Sequence, residues 1–109
     1  MFKESVIAQK KKLDFEKKQR LKAISLGNKF LGEWASNVLG YNQLQKRKYV
    51  SRINKVGLKY DNSRKIIRKI EKDFIKNNIK ISFKEIENKI KDFQMKANVI
   101  IENNLKFKN

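Results

Sequence analysis

Apolar residues recur every three or four positions along most of this chain, with polar side chains between them. This spacing places them on one face of a helix and predicts amphipathic α-helices that pack against each other. The first predicted helix runs from about Lys3 to Leu39. Gly40 follows directly and is expected to end the helix in a left-handed conformation. In the second half of this helix the apolar face is regular, and it comprises Ile24, Gly27, Leu31, Trp34, Ala35 and Val38.

The same periodicity predicts three further helices. The second spans about Asn42–Leu58, and the third spans about Asn62–Asn77 with Asp61 or Ser63 as its cap. The fourth opens at Ser82, where Ser82 and Glu85 form a capping-box pattern. The residues expected to face the core are Val50, Ile53, Val56 and Gly57 in the second helix, Ile66, Ile67, Ile70 and Phe74 in the third, and Ile86, Ile90, Phe93, Ala97 and Ile100 or Ile101 in the fourth. Residues 77–81 could also form a strand, but no other segment could pair with it. Because the connections are short, we predict an all-α fold, a four-helix bundle.

The front of the first helix differs from the rest. Residues 1–22 are highly charged and carry few apolar side chains, so this part can bury little surface. We expect it to be mobile or extended until it meets a partner. Phe2, Val6, Leu13 and Phe15 have the spacing of anchors with which a helix enters a partner's groove. The alternative is a solvated extension without a function.

The composition excludes several classes of function. The chain contains no Cys and no His, so disulfides, thiolate metal sites and the commonest general base are all missing. We therefore predict that it is not an enzyme and holds no metal. The cluster Lys10-Lys11-Lys12 interrupts any apolar leader, and no window is apolar enough for a membrane helix. This predicts a cytoplasmic setting without membrane insertion.

The chain carries 28 Lys and Arg against 11 Asp and Glu, a net charge of +17. Such an excess favours an acidic partner, which could be nucleic acid or an anionic surface. A ridge of basic residues at intervals of four could contact phosphates, although it lies opposite the core face and could equally be a solvated surface. A genome rich in A and T would also raise the lysine content without any ligand. The ridge comprises Arg64, Arg68, Lys72 and Lys76, and Lys46-Arg47-Lys48 forms a second cluster. Base stacking would need exposed rings, for which Tyr41, Tyr49, Tyr60 and Phe83 are the candidates.

Gly27 and Gly32 have the glycine spacing of a phosphate-binding loop. Glu33 and Trp34 stand where that loop requires Lys followed by Ser or Thr, so we reject this interpretation. A glycine inside a helix costs about 1 kcal/mol relative to alanine. Two of them beside the only tryptophan therefore indicate close packing against a neighbouring element.

The segment Asn28 to Ala35, which reads N-K-F-L-G-E-W-A, resembles the N-K-L-L-G-L-W-A stretch of the ATPase inhibitor zeta subunit family of α-proteobacteria. The resemblance continues through Phe2, Ala8, Lys12, Glu16, Lys22 and Ala23 on one side, and through Val38-Leu39-Gly40 and Ser63 to Ser82 on the other. It therefore covers nearly the whole chain. The residues that carry the family motif are Asn28, Lys29, Leu31, Gly32, Trp34, Ala35 and Gly40. The fold implied by the resemblance is a four-helix bundle with a mobile N-terminal segment.

The activity implied by this resemblance is inhibition of ATP hydrolysis by the F-type ATP synthase. Residues 1–18 would form the inhibitory segment and residues 19–109 the bundle. The segment would enter the catalytic head at an interface of the α and β subunits, near the rotor γ subunit, and block the conformational cycle as a wedge. Its expected contacts are Phe2, Val6, Leu13 and Phe15 as apolar anchors, with Lys10, Lys12, Glu16 and Lys17 as polar ones.

The resemblance also implies a location at the inner membrane, through the ATP synthase, and we expect the free protein to be a monomer. Weak binding of adenine nucleotide is a further family property, but it cannot be placed on residues here, so no cofactor is expected. Two alternatives stay open. One is a basic helical protein associated with nucleic acid. The other is a family member that keeps the bundle and has lost inhibition, because members of the family are mostly acidic whereas this chain is basic.

Overall fold

The computed structural model describes the backbone of residues 2–60 and 63–107, and the side chains of residues 9–57 and 63–106. Four helices follow one another: α1 (Phe2–Leu39), α2 (Gln43–Tyr60), α3 (Ser63–Lys76) and α4 (Phe83–Phe107). The described backbone contains no strand, and residues 77–81 form a turn and a loop. The predicted all-α architecture is therefore confirmed.

The helices pack as a square in chain order. α1 lies against α2 and α4, and α3 lies against the same two helices, so α1 and α3 occupy one diagonal. Trp34 reaches across this diagonal and meets Phe74 of α3 edge to face, with ring centres 5.7 Å apart. The core contains all four residues predicted for α3. Its buried members are Leu31, Ala35, Tyr49, Ile53, Ile66, Ile67, Ile70, Phe74, Ile86 and Ile90.

Two helices end in the same way. At the end of α1, Gly40 has a φ of 75° and the Tyr41 amide donates to the Ser36 carbonyl at 3.0 Å, as the sequence predicts for a glycine stop. At the end of α3, Asn78 has a φ of 59° and the Ile79 amide donates to the Phe74 carbonyl at 2.9 Å. Asparagine tolerates this conformation better than other residues with a side chain.

The helix starts are held by side chains. The backbone N–H of Asn42 donates to Gln45 Oε1 at 3.0 Å, and the backbone N–H of Gln45 donates to Asn42 Oδ1 at 2.9 Å. These two bonds form a complete capping box at the start of α2, which was not predicted from the sequence. At α4 the Glu85 amide donates to Ser82 Oγ at 3.2 Å, which is one of the two bonds predicted there. Asp61, a predicted cap for α3, lies outside the described residues, and Ser63 is the first residue of that helix.

The molecule is elongated. Its extents are 63 × 27 × 24 Å and its radius of gyration is 17.0 Å, against about 13 Å for a compact domain of this length. The 38 residues of α1 span about 57 Å at 1.5 Å per residue, so this helix sets the long axis. The predicted long first helix is therefore confirmed. In the described part of the chain, no helix has both the length and the apolarity needed to cross a membrane.

Candidate partner-binding segment

The first helix changes character along its length. Every side chain from Gln9 to Lys18 is exposed, whereas buried residues begin at Ala23. Ile100 and Ile101 of α4 line the same groove as Lys22 and Ser25, so α4 approaches its end beside the point where α1 leaves the bundle. Lysine is the commonest residue in this front part of the helix. The segment of residues 9–18 is thus a helix that other described helices do not cover.

Leu13 continues the core face of α1 beyond the bundle. It precedes Leu31 by 18 residues, which is about five turns, so both side chains lie on the same side of the helix. Leu31 is fully buried, whereas Leu13 is 64% exposed. The apolar face that α2 and α4 cover inside the bundle is therefore left open at Leu13.

Phe15 points the other way. Two positions along a helix correspond to a rotation of about 200°, so Leu13 and Phe15 lie on opposite sides. Phe15 is half exposed, at 50%. A partner that contacts both residues must surround the helix from two sides. Such a partner offers a cleft, because a flat surface would leave one of the two anchors in water.

The predicted polar contacts are accessible. Lys10, Lys12, Glu16 and Lys17 are all exposed. Residues 9–18 contain five lysines and two carboxylates, a net charge of +3. Phe2 and Val6 belong to the same helix, but their side chains lie outside the described ones, so their predicted contacts stay predictions.

The motif residues from Asn28 to Ala35 serve the bundle. A Cβ added at Gly32 would lie 3.2 Å from Val50 Cα, and one added at Gly27 would lie 3.3 Å from Gln94 Cα. The backbones of α2 and α4 therefore come close to α1 at these two glycines, which confirms the predicted close packing. Both glycines lie in the interior of α1, so they form no phosphate-binding loop.

The other motif residues range from fully buried to exposed. Leu31 and Ala35 are fully buried. Trp34 is half-buried, and the Lys89 ammonium of α4 lies 5.6 Å from the centre of its ring. Lys29 and Gly40 are exposed.

Asn28 is the motif residue that the sequence did not explain. Its side chain is only 1% exposed, and within the described residues neither Nδ2 nor Oδ1 has a hydrogen-bond partner. It lies directly against Gly57 of α2, where an added Cβ would collide with Asn28 Nδ2 and approach Ile66 Cδ1 to 2.6 Å. Gly57 therefore makes the space in which the Asn28 amide is enclosed.

Tyr49 corrects the prediction of an exposed stacking ring. Its side chain is 2% exposed, and its hydroxyl donates to Asp73 Oδ2 at 2.8 Å. Burial raises the pKa of the Tyr49 phenol well above its usual 10.0, and the hydrogen bond to Asp73 raises it further. The ring is buried because Tyr49 lies on the side of α2 that faces α3.

Two of the other candidate rings also have partners. Tyr41 is half-buried and packs edge to face on Tyr49, with centres 5.6 Å apart. Phe83 is half-buried, and the Arg68 guanidinium lies 5.6 Å from its centre. The side chain of Tyr60 lies outside the described ones. The basic ridge itself is exposed, at Arg64, Arg68, Lys72 and Lys76.

The chain was compared with protein-family models, with curated proteins and with solved structures. The model of the family described as ATPase inhibitor subunit zeta matches residues 1–99. Neither the curated proteins nor the solved structures include a match to this chain.

Proposed function

This chain belongs to the ATPase inhibitor subunit zeta family, and we propose that it inhibits ATP hydrolysis by the F-type ATP synthase through residues 1–18. In this proposal the front of α1 enters the catalytic head at an interface of the α and β subunits, near the rotor γ subunit. The inserted helix keeps the two subunit surfaces apart and prevents the closing step of the catalytic cycle.

The observation that carries the proposal is the exposure of residues 9–18 in an unbroken helix. Leu13 and Phe15 together present apolar surface on both sides of that helix, at 64% and 50% exposure. Exposed side chains of this size are the anchors with which helices occupy hydrophobic grooves. Their opposite orientation favours a cleft between two subunits over a groove on one.

The bundle supports the helix mechanically. From Ala23 onward α1 is held by α2 and α4, which approach its backbone at Gly32 and Gly27. The inserted part is continuous with this held part through the helical hydrogen bonds of α1. A force on residues 9–18 is therefore carried into the bundle. This mechanism needs no group that reacts with ATP.

The experiment measures ATP hydrolysis by the purified catalytic head of the same source, with the full chain added at micromolar concentration. Three variants accompany it: removal of residues 1–18, the double substitution Leu13→Glu and Phe15→Glu, and a matched control. The control is Met95→Glu with Val99→Glu on α4, because these two side chains are as exposed as the anchors, at 67% and 55%. We expect the full chain and the control to inhibit, and the other two to have lost inhibition.

The outcomes separate the parts of the proposal. If the truncated chain inhibits as well as the full chain, the segment is not the inhibitory part. If the full chain leaves the rate unchanged, this member has kept the bundle without the activity. Equal losses in the anchor variant and the α4 control would place the contact elsewhere on the molecule.

A further inference from the structure

The positive charge is concentrated on one layer of the bundle. Residues 43–76, which contain α2 and α3, carry 12 Lys and Arg against three Asp and Glu, a net charge of +9. The other 75 residues, which contain α1 and α4, carry 16 against eight, a net charge of +8. Less than a third of the chain thus holds more than half of the net charge.

The cations of α2 and α3 meet on the outer side of this layer. The Arg52 guanidinium and the Lys69 ammonium lie 5.9 and 5.7 Å from the centre of the Tyr49 ring, which separates the two helices. Lys48 and Lys55 extend this surface along α2, and Lys72 and Lys76 extend it along α3; all four are exposed. We call these six residues the cationic face. Asp73 is the carboxylate within it, and it already accepts bonds from Lys69 at 3.3 Å and from Tyr49.

We propose that the cationic face binds the surface of a membrane that contains anionic phospholipids. Two antiparallel helices side by side form a broad surface, which meets a planar layer of phosphates over its whole area. A nucleic-acid duplex is a cylinder and would touch only a strip of it. Lysines clustered on a helix are attracted to anionic bilayers electrostatically, without insertion of the helix.

Leu44 provides a second, independent argument for lipid. It lies one turn before Lys48 on α2 and is 60% exposed. An exposed aliphatic side chain beside lysines can enter the boundary between headgroups and acyl chains. It offers little to the phosphates and bases of a nucleic acid. The one ring at the centre of the face, Tyr49, is buried and cannot stack on a base.

The cationic face and the inhibitory segment lie on different layers of the bundle. Residues 9–18 continue α1, whereas the face belongs to α2 and α3. The two surfaces therefore share no residue. The proposal does not depend on inhibition, because binding is tested with vesicles that contain phospholipids and no ATP synthase.

The experiment is co-sedimentation of the full chain with vesicles of phosphatidylcholine containing about one-third phosphatidylglycerol, at low and high salt. The test variant is Lys48→Gln, Lys55→Gln and Lys72→Gln. The matched control is Arg20→Gln, Lys22→Gln and Lys106→Gln, which removes the same charge from exposed positions on α1 and α4. We expect binding to anionic vesicles and not to pure phosphatidylcholine. Each lysine removed from the face should lower the partition coefficient about fivefold, so the test variant should lose roughly 100-fold and the control much less.

A second pair tests the apolar contribution. Leu44→Ser should weaken vesicle binding severalfold, and Val99→Ser, at a similarly exposed position on α4, should not. The proposal is overturned if the chain fails to bind anionic vesicles at ~50 mM salt, or if the two triple variants lose binding equally. It is also overturned if duplex DNA binds more tightly than the vesicles and Leu44→Ser changes neither.

Discussion

The side-chain amide of Asn28 is buried in the core and has no hydrogen-bond partner among the described residues. An unpaired buried amide costs about 1–3 kcal/mol in proteins, so its replacement by an apolar group of similar shape should stabilise the fold. We expect Asn28→Leu to raise the free energy of unfolding by about 1 kcal/mol in urea denaturation. The neighbouring Lys29 is exposed, and Lys29→Leu should change stability by less than about 0.5 kcal/mol. A loss of stability in Asn28→Leu would show that the amide has a partner in solution, such as a buried water.

Tyr49 should make the bundle sensitive to alkali. In the folded state its pKa lies well above 10.0, because the ring is buried and the hydroxyl is bonded to Asp73. Above pH 10 the unfolded tyrosine loses its proton while the folded one keeps it, so the unfolded state binds fewer protons and stability falls as pH rises. The contribution is about 1.4 kcal/mol per pH unit. Below pH 10 it is constant.

Substitution isolates this effect. We expect Tyr49→Phe to lower the free energy of unfolding at pH 7, because Asp73 loses a hydrogen bond. The same substitution should remove the contribution of Tyr49 to the loss of stability between pH 10 and 11. Tyr41→Phe leaves Tyr49 in place and should keep the fall. The measurement is the urea midpoint of the three proteins at pH 7, 9, 10 and 11. Parallel pH profiles for Tyr49→Phe and the unmodified chain would contradict the assignment.

At the level of the helices, periodicity predicted the fold because each helix buries one face. The four core residues of α3 were all placed correctly, since a 14-residue helix between two neighbours has a single buried side. α2 was harder, because its side facing α3 includes Tyr49, and a tyrosine can be satisfied either in water or by a buried acceptor. Its acceptor, Asp73, lies 24 residues later in the chain, and local spacing carries no sign of that pairing.

In the candidate site, too, some features follow from the local sequence and others depend on residues far away in the chain. The exposure of residues 9–18 follows from their composition, and Leu13 and Phe15 were identified from it. Their opposite orientation follows from helical geometry once the helix is known to be continuous. The space for Asn28 depends on Gly57, which comes from another helix, so only the tertiary structure reveals it.

The continuity of α1 leads to a prediction about the inhibitory segment. Lys18→Gly with Gln19→Gly places two glycines at the junction of the segment and the bundle, and each disfavours the helix by about 1 kcal/mol. The segment then has to be ordered during insertion, which should raise the concentration for half-inhibition by up to about 30-fold. The pair Lys18→Ala with Gln19→Ala is the control and should inhibit normally. Unchanged inhibition by the glycine pair would mean that the segment acts without a stiff connection to the bundle.

On the scale of the whole molecule, the elongated shape should belong to α1 alone. Residues 9–18 are exposed on every side, so removal of residues 1–18 takes away length without opening the core. Small-angle X-ray scattering should give a radius of gyration near 17.0 Å for the full chain, and about 12–13 Å for residues 19–109, the value of a compact domain of that size. The urea midpoint should stay the same, because the buried residues of α1 begin at Ala23, beyond the removed part. A full chain that scatters like a compact domain would mean that the segment folds back on the bundle. In that case Leu13 and Phe15 would be covered in the free protein, and inhibition would require their release before insertion.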